Sequence, residues 1–259
     1  MNVVVCVKQI PDPADPGALE PDHTLKRDGK LILDESDTYG VEMALQLVDK
    51  AGEGEVTLVS MAPNGEVSGL RQALAMGAAK AILVSDDTLA GAGALDTAKV
   101  LAAAIGRAGG YDLVLAGVES SDGYTGVVPE QIAALLDLPS IGFAKSVDVA
   151  DGTLKVQRQT EAGYDECESP LPALVSVTAG VVEPRYPSFK GIMAAKSKPL
   201  DTLTVADLGI DPATVGWDGA GQEIVDVTAA PEREAGEKIV DEGDAHTKIV
   251  EFLDGLKVI

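Results

Sequence analysis

Short apolar runs rich in β-branched residues recur at 3–7, 56–60, 81–84, 113–116 and 174–178. None alternates with polar residues as a half-solvated strand would, so each reads as a strand covered on both faces, the mark of a parallel sheet. Between them the apolar positions take a helical period. The clearest case is 39–50, where Val41, Ala44, Leu45 and Val48 fall on one face, and 66–76, 96–108 and 128–136 follow the same rule. Strands alternating with helices predict a doubly wound, mostly parallel α/β sheet with right-handed connections.

Two segments depart from that rhythm. From 143 to 159 the pattern is that of an antiparallel hairpin, with Asp151-Gly152 supplying the positive backbone angles of a tight turn between 146–149 and 154–157. After about residue 225 the core pattern stops, which divides the chain into an α/β domain over 1–225 and a C-terminal arm over 226–259. The arm is rich in Ala, Glu and Asp and finishes with Ile249, Phe252, Leu253 and Leu256 on one helical face. So small an apolar face cannot bury itself and is expected to dock on the domain or on another chain.

Composition narrows the function. With 259 residues and 46% hydrophobic content the chain can bury a large core. Forty-two acids against twenty bases give a net charge of −22, which repels a nucleic-acid backbone and leaves phosphate groups to be held by local dipoles. The excess is uneven: residues 201–259 carry fourteen Asp and Glu against four Lys and Arg. Cys6 and Cys167 are too few for a disulfide framework, and Cys6 in an apolar strand is expected to be a buried thiol, as suits a reducing compartment. No apolar run reaches the 18 or so residues of a membrane span, and no leader-like segment precedes the first strand, so the expected location is the cytoplasm.

In an open α/β sheet a ligand sits beyond the carboxyl ends of the strands, where strand order reverses. That singles out the loops 8–16, 61–65 and 117–128. The third is the richest, because Gly117, Gly123 and Gly126 with Ser120 and Ser121 run from a strand into a helix that has Pro129 in its first turn. The amides of Gly126, Val127 and Val128 then form an anion site at the helix start. The glycine spacing matches neither the dinucleotide fingerprint nor the Walker pattern, and a close-packed turn is an equal reading. Asp34 and Asp37, ahead of the helix over 39–50, suit either a ribose hydroxyl or a helix cap. No catalytic apparatus emerges: His23 and His246 lie in polar surroundings, and Asp12, Glu35, Glu119 and Asp122 read as solvated carboxylates.

The remaining feature is 183–198, Glu-Pro-Arg-Tyr-Pro-Ser-Phe-Lys-Gly-Ile-Met-Ala-Ala-Lys-Ser-Lys. Two prolines argue against a helix at its start, and Phe189, Ile192 and Met193 stand beside Arg185, Lys190, Lys196 and Lys198. An irregular connector whose apolar residues fold back is one reading; a surface made for a partner is the other.

Together with Val5-Cys6-Val7-Lys8-Gln9-Ile10-Pro11-Asp12, Leu33-Asp34-Glu35, Tyr39-Gly40-Val41-Glu42-Met43-Ala44-Leu45 and Ala73-Leu74-Ala75-Met76-Gly77-Ala78, this stretch closely resembles the electron transfer flavoprotein β subunit family. The resemblance runs from residue 1 to about 210. It implies an adenine-nucleotide-binding fold of the Rossmann-like, HUP type, in a heterodimer whose α subunit holds most of one FAD. The β subunit of such a pair holds a structural AMP, here contacted by the backbone around Cys6, by Asp34 and Met61, and by Ser120, Gly123, Gly126, Val127 and Val128. The resemblance also makes about 183–200 a recognition loop for acyl-CoA dehydrogenases and similar flavin dehydrogenases. Phe189 would be the anchor, Lys190, Ile192 and Met193 would be contacts, and Lys196 and Lys198 would complete a cationic rim. Electrons would pass from the dehydrogenase to the shared FAD and on to an ETF-quinone oxidoreductase, as in fatty acid oxidation. Gln159, beside Arg158, stands where some relatives carry a Glu that faces the flavin domain, which leaves docking of that domain open. Two alternatives remain: an electron-bifurcating member with FAD in place of AMP, and a stand-alone nucleotide-binding protein of the universal-stress type.

Overall fold

In the computed structural model, which describes residues 1–259 except Pro16, Arg233, Glu234 and Glu237, the chain falls into two units, Met1–Ile224 and Val225–Ile259. Pro16, the last residue of the first candidate loop, and three positions of the C-terminal arm thus lie outside the described residues.

The first unit is built on β1 (Val3–Cys6), β4 (Val56–Met61), β5 (Lys80–Val84), β6 (Leu113–Gly117) and β10 (Ala173–Val177), joined at one edge by β11 (Leu200–Leu203) and at the other by β7 (Ser140–Ala150), β8 (Thr153–Thr160) and β9 (Gly163–Pro170). Their order is β11-β5-β4-β1-β6-β10-β7-β8-β9. Every pairing from β11 to β7 is parallel, and β8 and β9 close that edge antiparallel. All four residues of β1 are buried, Val3 and Val5 toward one core and Val4 and Cys6 toward the other, which is why the run is continuously apolar. Helices α1 (Glu35–Ala51) and α2 (Ser68–Met76) cover the first face, and α3 (Ala94–Arg107) and α4 (Val128–Leu135) cover the second. The mostly parallel, doubly wound architecture expected from the pattern is present.

Local chemistry sets the element ends. Asp34, the N-cap of α1, accepts from the amide of Ser36, so the helix starts at Glu35 and takes Asp37 into its first turn, ahead of the expected start at 39. The start of α2 is satisfied from afar: in the small antiparallel sheet of β2 (Gln9–Pro11) and β3 (Leu31–Leu33), the buried Gln9 Oε1 accepts from Gly69 N at 2.8 Å. The β7–β8 hairpin turns on Asp151 and Gly152, with φ of 53° and 74°. Strand β9 extends that hairpin and was not expected from the sequence.

The stretch from Glu183 also differs from expectation. It contains a short helix, α5 (Phe189–Ala195), whose N-cap Ser188 accepts from Gly191 N at 3.0 Å. The two prolines precede the cap instead of interrupting the helix, so they set its start. The second unit contains the helix α7 (Ala245–Gly255), following a four-residue turn of helix, α6 (Gly216–Gly219), in the first unit. Ile249, Phe252 and Leu256 of that second unit are exposed. Among the described residues, no helix is long and apolar enough to cross a membrane.

Candidate functional site

From β1 the chain moves outward through β4 and β5, then returns to the other side of β1 as β6. Strand order therefore reverses between β1 and β6, and the crevice of interest lies at their carboxyl ends. Around it gather the residues after β1, the first turn of α1 and the loop from Gly117 to α4.

Three acids and two cations meet there. Asp34 is fully buried: its Oδ1 accepts from Ser36 N and Oγ at 3.0 and 2.7 Å, and its Oδ2 from Ser121 N and Oγ at 2.7 and 3.0 Å. Of its two expected roles, cap or ribose partner, the side chain performs the first, and it also ties the ligand loop to α1. Asp37 is also buried, accepting from Lys8 N at 2.6 Å. Burial and then the neighbouring Asp34 push its carboxyl well above the usual range, against the pull of the Lys8 amide and charge. A Cβ on Gly117 would come within 3.2 Å of Asp37 Oδ1, so glycine lets the strand end close over the acid. Burial, assisted by Asp37, pushes the Cys6 thiol up to about 12, which keeps it protonated and unreactive.

Asp122 corrects its reading as a solvated carboxylate. Its side chain is 8% exposed, and its Oδ1 pairs with Lys8 Nζ at 2.6 Å while its Oδ2 pairs with Arg27. Although burial pushes this carboxyl up, Lys8 and Arg27 hold it below the ordinary range. Lys8 Nζ also donates to Ser120 Oγ at 3.2 Å, and Gly123 N donates to the same hydroxyl at 3.3 Å. The crevice thus holds two cations that sequence reading missed, and both are already engaged by protein carboxylate.

The ligand side of the crevice is apolar. Cys6, Met61 and Val128 pack on the α3/α4 face of the sheet, at the ends of β1 and β4 and the start of α4. Gly126 turns the chain into α4 with φ of 62°, and the helix start has no side-chain cap. Uncapped first-turn amides above an apolar floor fit an adenine nucleotide whose phosphate meets the helix start. Beyond α4 a groove of about 420 Å³ runs between Gly126, Val127 and Glu130 and the β7–β9 edge, with Phe143 and Arg158 on its wall. Among the described residues no group of three or more His, Cys, Asp or Glu is placed to hold a metal ion.

The second region is α5. Phe189 is 81% exposed, and Ile192 and Met193 are half exposed beside it, with Tyr186 almost wholly exposed just upstream. Of the three cations expected on its rim, Lys190 and Lys196 stand in solvent. Lys198 is turned inward, donating to the Leu74 and Ala78 carbonyls at the end of α2 at 2.9 and 2.7 Å. Arg185 is drawn onto α1 by Glu42 and Asp49.

A family model for the electron transfer flavoprotein domain matches residues 22–208, well over half the chain. The chain is 41% identical to the electron transfer flavoprotein subunit beta of Mycobacterium leprae over 100% of its own length and 99% of the relative's. It is 34% identical to the protein of that name from Megasphaera elsdenii, covering 97% and 96% of the two chains. A third relative, the caffeyl-CoA reductase-Etf complex subunit CarD of Acetobacterium woodii, is 34% identical over 92% of each.

Proposed function

The chain belongs to the electron transfer flavoprotein family, among its β subunits, and from that premise we propose that it is the nucleotide-holding and partner-docking half of a heterodimeric electron carrier. It has no chemistry of its own in this reading. FAD, held mainly by the α subunit, supplies the redox chemistry. Residues Cys6, Met61, Ser120, Gly123, Gly126, Val127 and Val128 hold AMP, with Asp34 fixing the loop instead of touching the ribose. The apolar residues of α7 dock on the α subunit, and the heterodimer works in the cytoplasm.

The observation that carries the proposal is the exposed Phe189, Ile192 and Met193 on a helix whose base is pinned to the domain. An aromatic anchor flanked by cations is what a partner pocket takes up. The partner is a flavin dehydrogenase acting on a CoA ester, a reading supported by a relative named for its place in a caffeyl-CoA reductase complex. Electrons then leave for an ETF-quinone oxidoreductase.

Co-expression with the α subunit and chromatography of the released nucleotides tests the cofactor assignment. One FAD and one AMP per heterodimer is the expected result. Two FAD would replace AMP by a second flavin and make the chain an electron-bifurcating member; a monomer that turns over ATP would overturn the carrier reading.

A further inference from the structure

Arg185 lies 143 residues from Glu42 in sequence, yet the two form the most heavily bonded ion pair of the docking region. Its Nε meets Glu42 Oε2 at 2.7 Å, a terminal nitrogen meets Oε1 at 3.1 Å, and its own backbone amide donates to Oε2 at 3.2 Å. Glu42 is 3% exposed, and Gln46, one turn along α1, donates to it at 2.8 Å. A second carboxylate, Asp49, accepts from the same terminal nitrogen at 3.2 Å. A planar fork on a buried carboxylate fixes direction as well as distance.

The far end of the segment is held as firmly, by a different helix. Arg71 of α2 donates to the carbonyls of Ala195 and Lys198 at 2.7 and 2.9 Å, and Lys198 returns the contact to α2. Between the two clamps α5 lies against α2 so closely that a Cβ on Gly191 would stand 2.5 Å from the Ala75 carbonyl oxygen. Glycine there is a condition of the approach. None of Arg185, Arg71 and Gly191 belongs to the exposed apolar row of Phe189, Ile192 and Met193.

We propose that Arg185 and Gly191 are positioning residues for partner recognition: they act through α5, fixing the direction in which Phe189 points, without contacting the partner. A side chain presented from a seated helix loses little freedom on binding, whereas one on a loose segment must be ordered first. The inference rests on the docking role proposed above for Phe189.

The test uses the purified heterodimer and an acyl-CoA dehydrogenase that reduces the wild-type flavin, with flavin bleaching followed against heterodimer concentration. Arg185→Ala and Gly191→Ala are each expected to raise the half-saturating concentration about tenfold with kcat unchanged. Flavin content should stay as in wild type, and the stability lost where Arg185→Ala leaves the buried Glu42 unpaired is measured separately by denaturant unfolding. Arg185→Lys should recover little, because an ammonium cannot make the fork. In the Phe189→Ala background, Arg185→Ala should add almost nothing, since its effect runs through the missing ring. Full additivity of the two changes, or half-saturation unmoved in both positioning variants, overturns the inference. If Phe189→Ala itself leaves half-saturation unchanged, the docking assignment fails as well, which separates the two claims. Should Arg185→Ala not fold, Gly191→Ala and Arg71→Ala carry the same prediction.

Discussion

The crevice at the ends of β1 and β6 and the docking segment that leads from Arg185 into α5 are both tied to α1, and they spend their side chains in opposite ways. In the crevice the polar groups turn inward and are satisfied: Asp34 accepts four hydrogen bonds, and Asp122 engages Lys8 and Arg27. On α5 the polar groups secure the base, while Phe189, Ile192 and Met193 are left to solvent. Buried polar groups with every partner in place make a rigid site for a ligand that stays. Apolar groups left uncovered on a rigid base make a surface for a partner that comes and goes. The two regions therefore differ less in charge than in which atoms are left unsatisfied.

The contrast is broken most severely by removing the anchor. Phe189→Ala should cost about 2–4 kcal/mol of dehydrogenase binding, as for a central hot spot, while heterodimer stability and nucleotide content remain unchanged. Titration of flavin reduction against the dehydrogenase measures it. Removing a crevice group should do the reverse. Asp122→Ala leaves Lys8 and Arg27 without their shared carboxylate, and because both cations are partly solvated the expected loss is about 1–2 kcal/mol of stability, read from denaturant unfolding, with partner coupling preserved.

An acid titration sharpens the same comparison. The Asp122 and Glu42 carboxyls are both held below their ordinary values of 3.8 and 4.5, against burial, by Lys8 and Arg27 in one case and Arg185 and Gln46 in the other. A depressed carboxyl lends stability that is fully present above its ordinary value and is lost as pH falls through its folded value. Wild type should lose stability steadily as the pH drops below about 4, and Asp122→Asn should flatten part of that slope when unfolding is followed at several pH values. The smallest effect belongs to the docking rim. Lys190→Ala should slow association at low salt and change affinity by under about 1 kcal/mol, with the difference vanishing as salt is raised.

What was legible in the sequence follows from the range of the interaction involved. The strands β1, β4, β5, β6 and β10 could be placed because burial on both faces makes them continuously apolar. Strand β9 could not, since Asp165, Glu166 and Glu168 hide it and only pairing with β8 makes it a strand. Helix α5 was obscured by Pro184 and Pro187, whose effect ends where the Ser188 cap begins. In the crevice, the glycine-rich turn and Asp34 were visible as local features. The role of Asp122 was not, because its partners Lys8 and Arg27 stand 114 and 95 residues away. The inward turn of Lys198 was equally hidden, depending on carbonyls of α2 that no spacing rule connects to it.

Hydrogen–deuterium exchange of the heterodimer, with and without a saturating flavin dehydrogenase, sets the two regions side by side in one measurement. The account predicts new protection across Phe189–Ala195 on adding the dehydrogenase and no change across 117–128. Protection that appears at 117–128 and leaves Phe189–Ala195 untouched would contradict it.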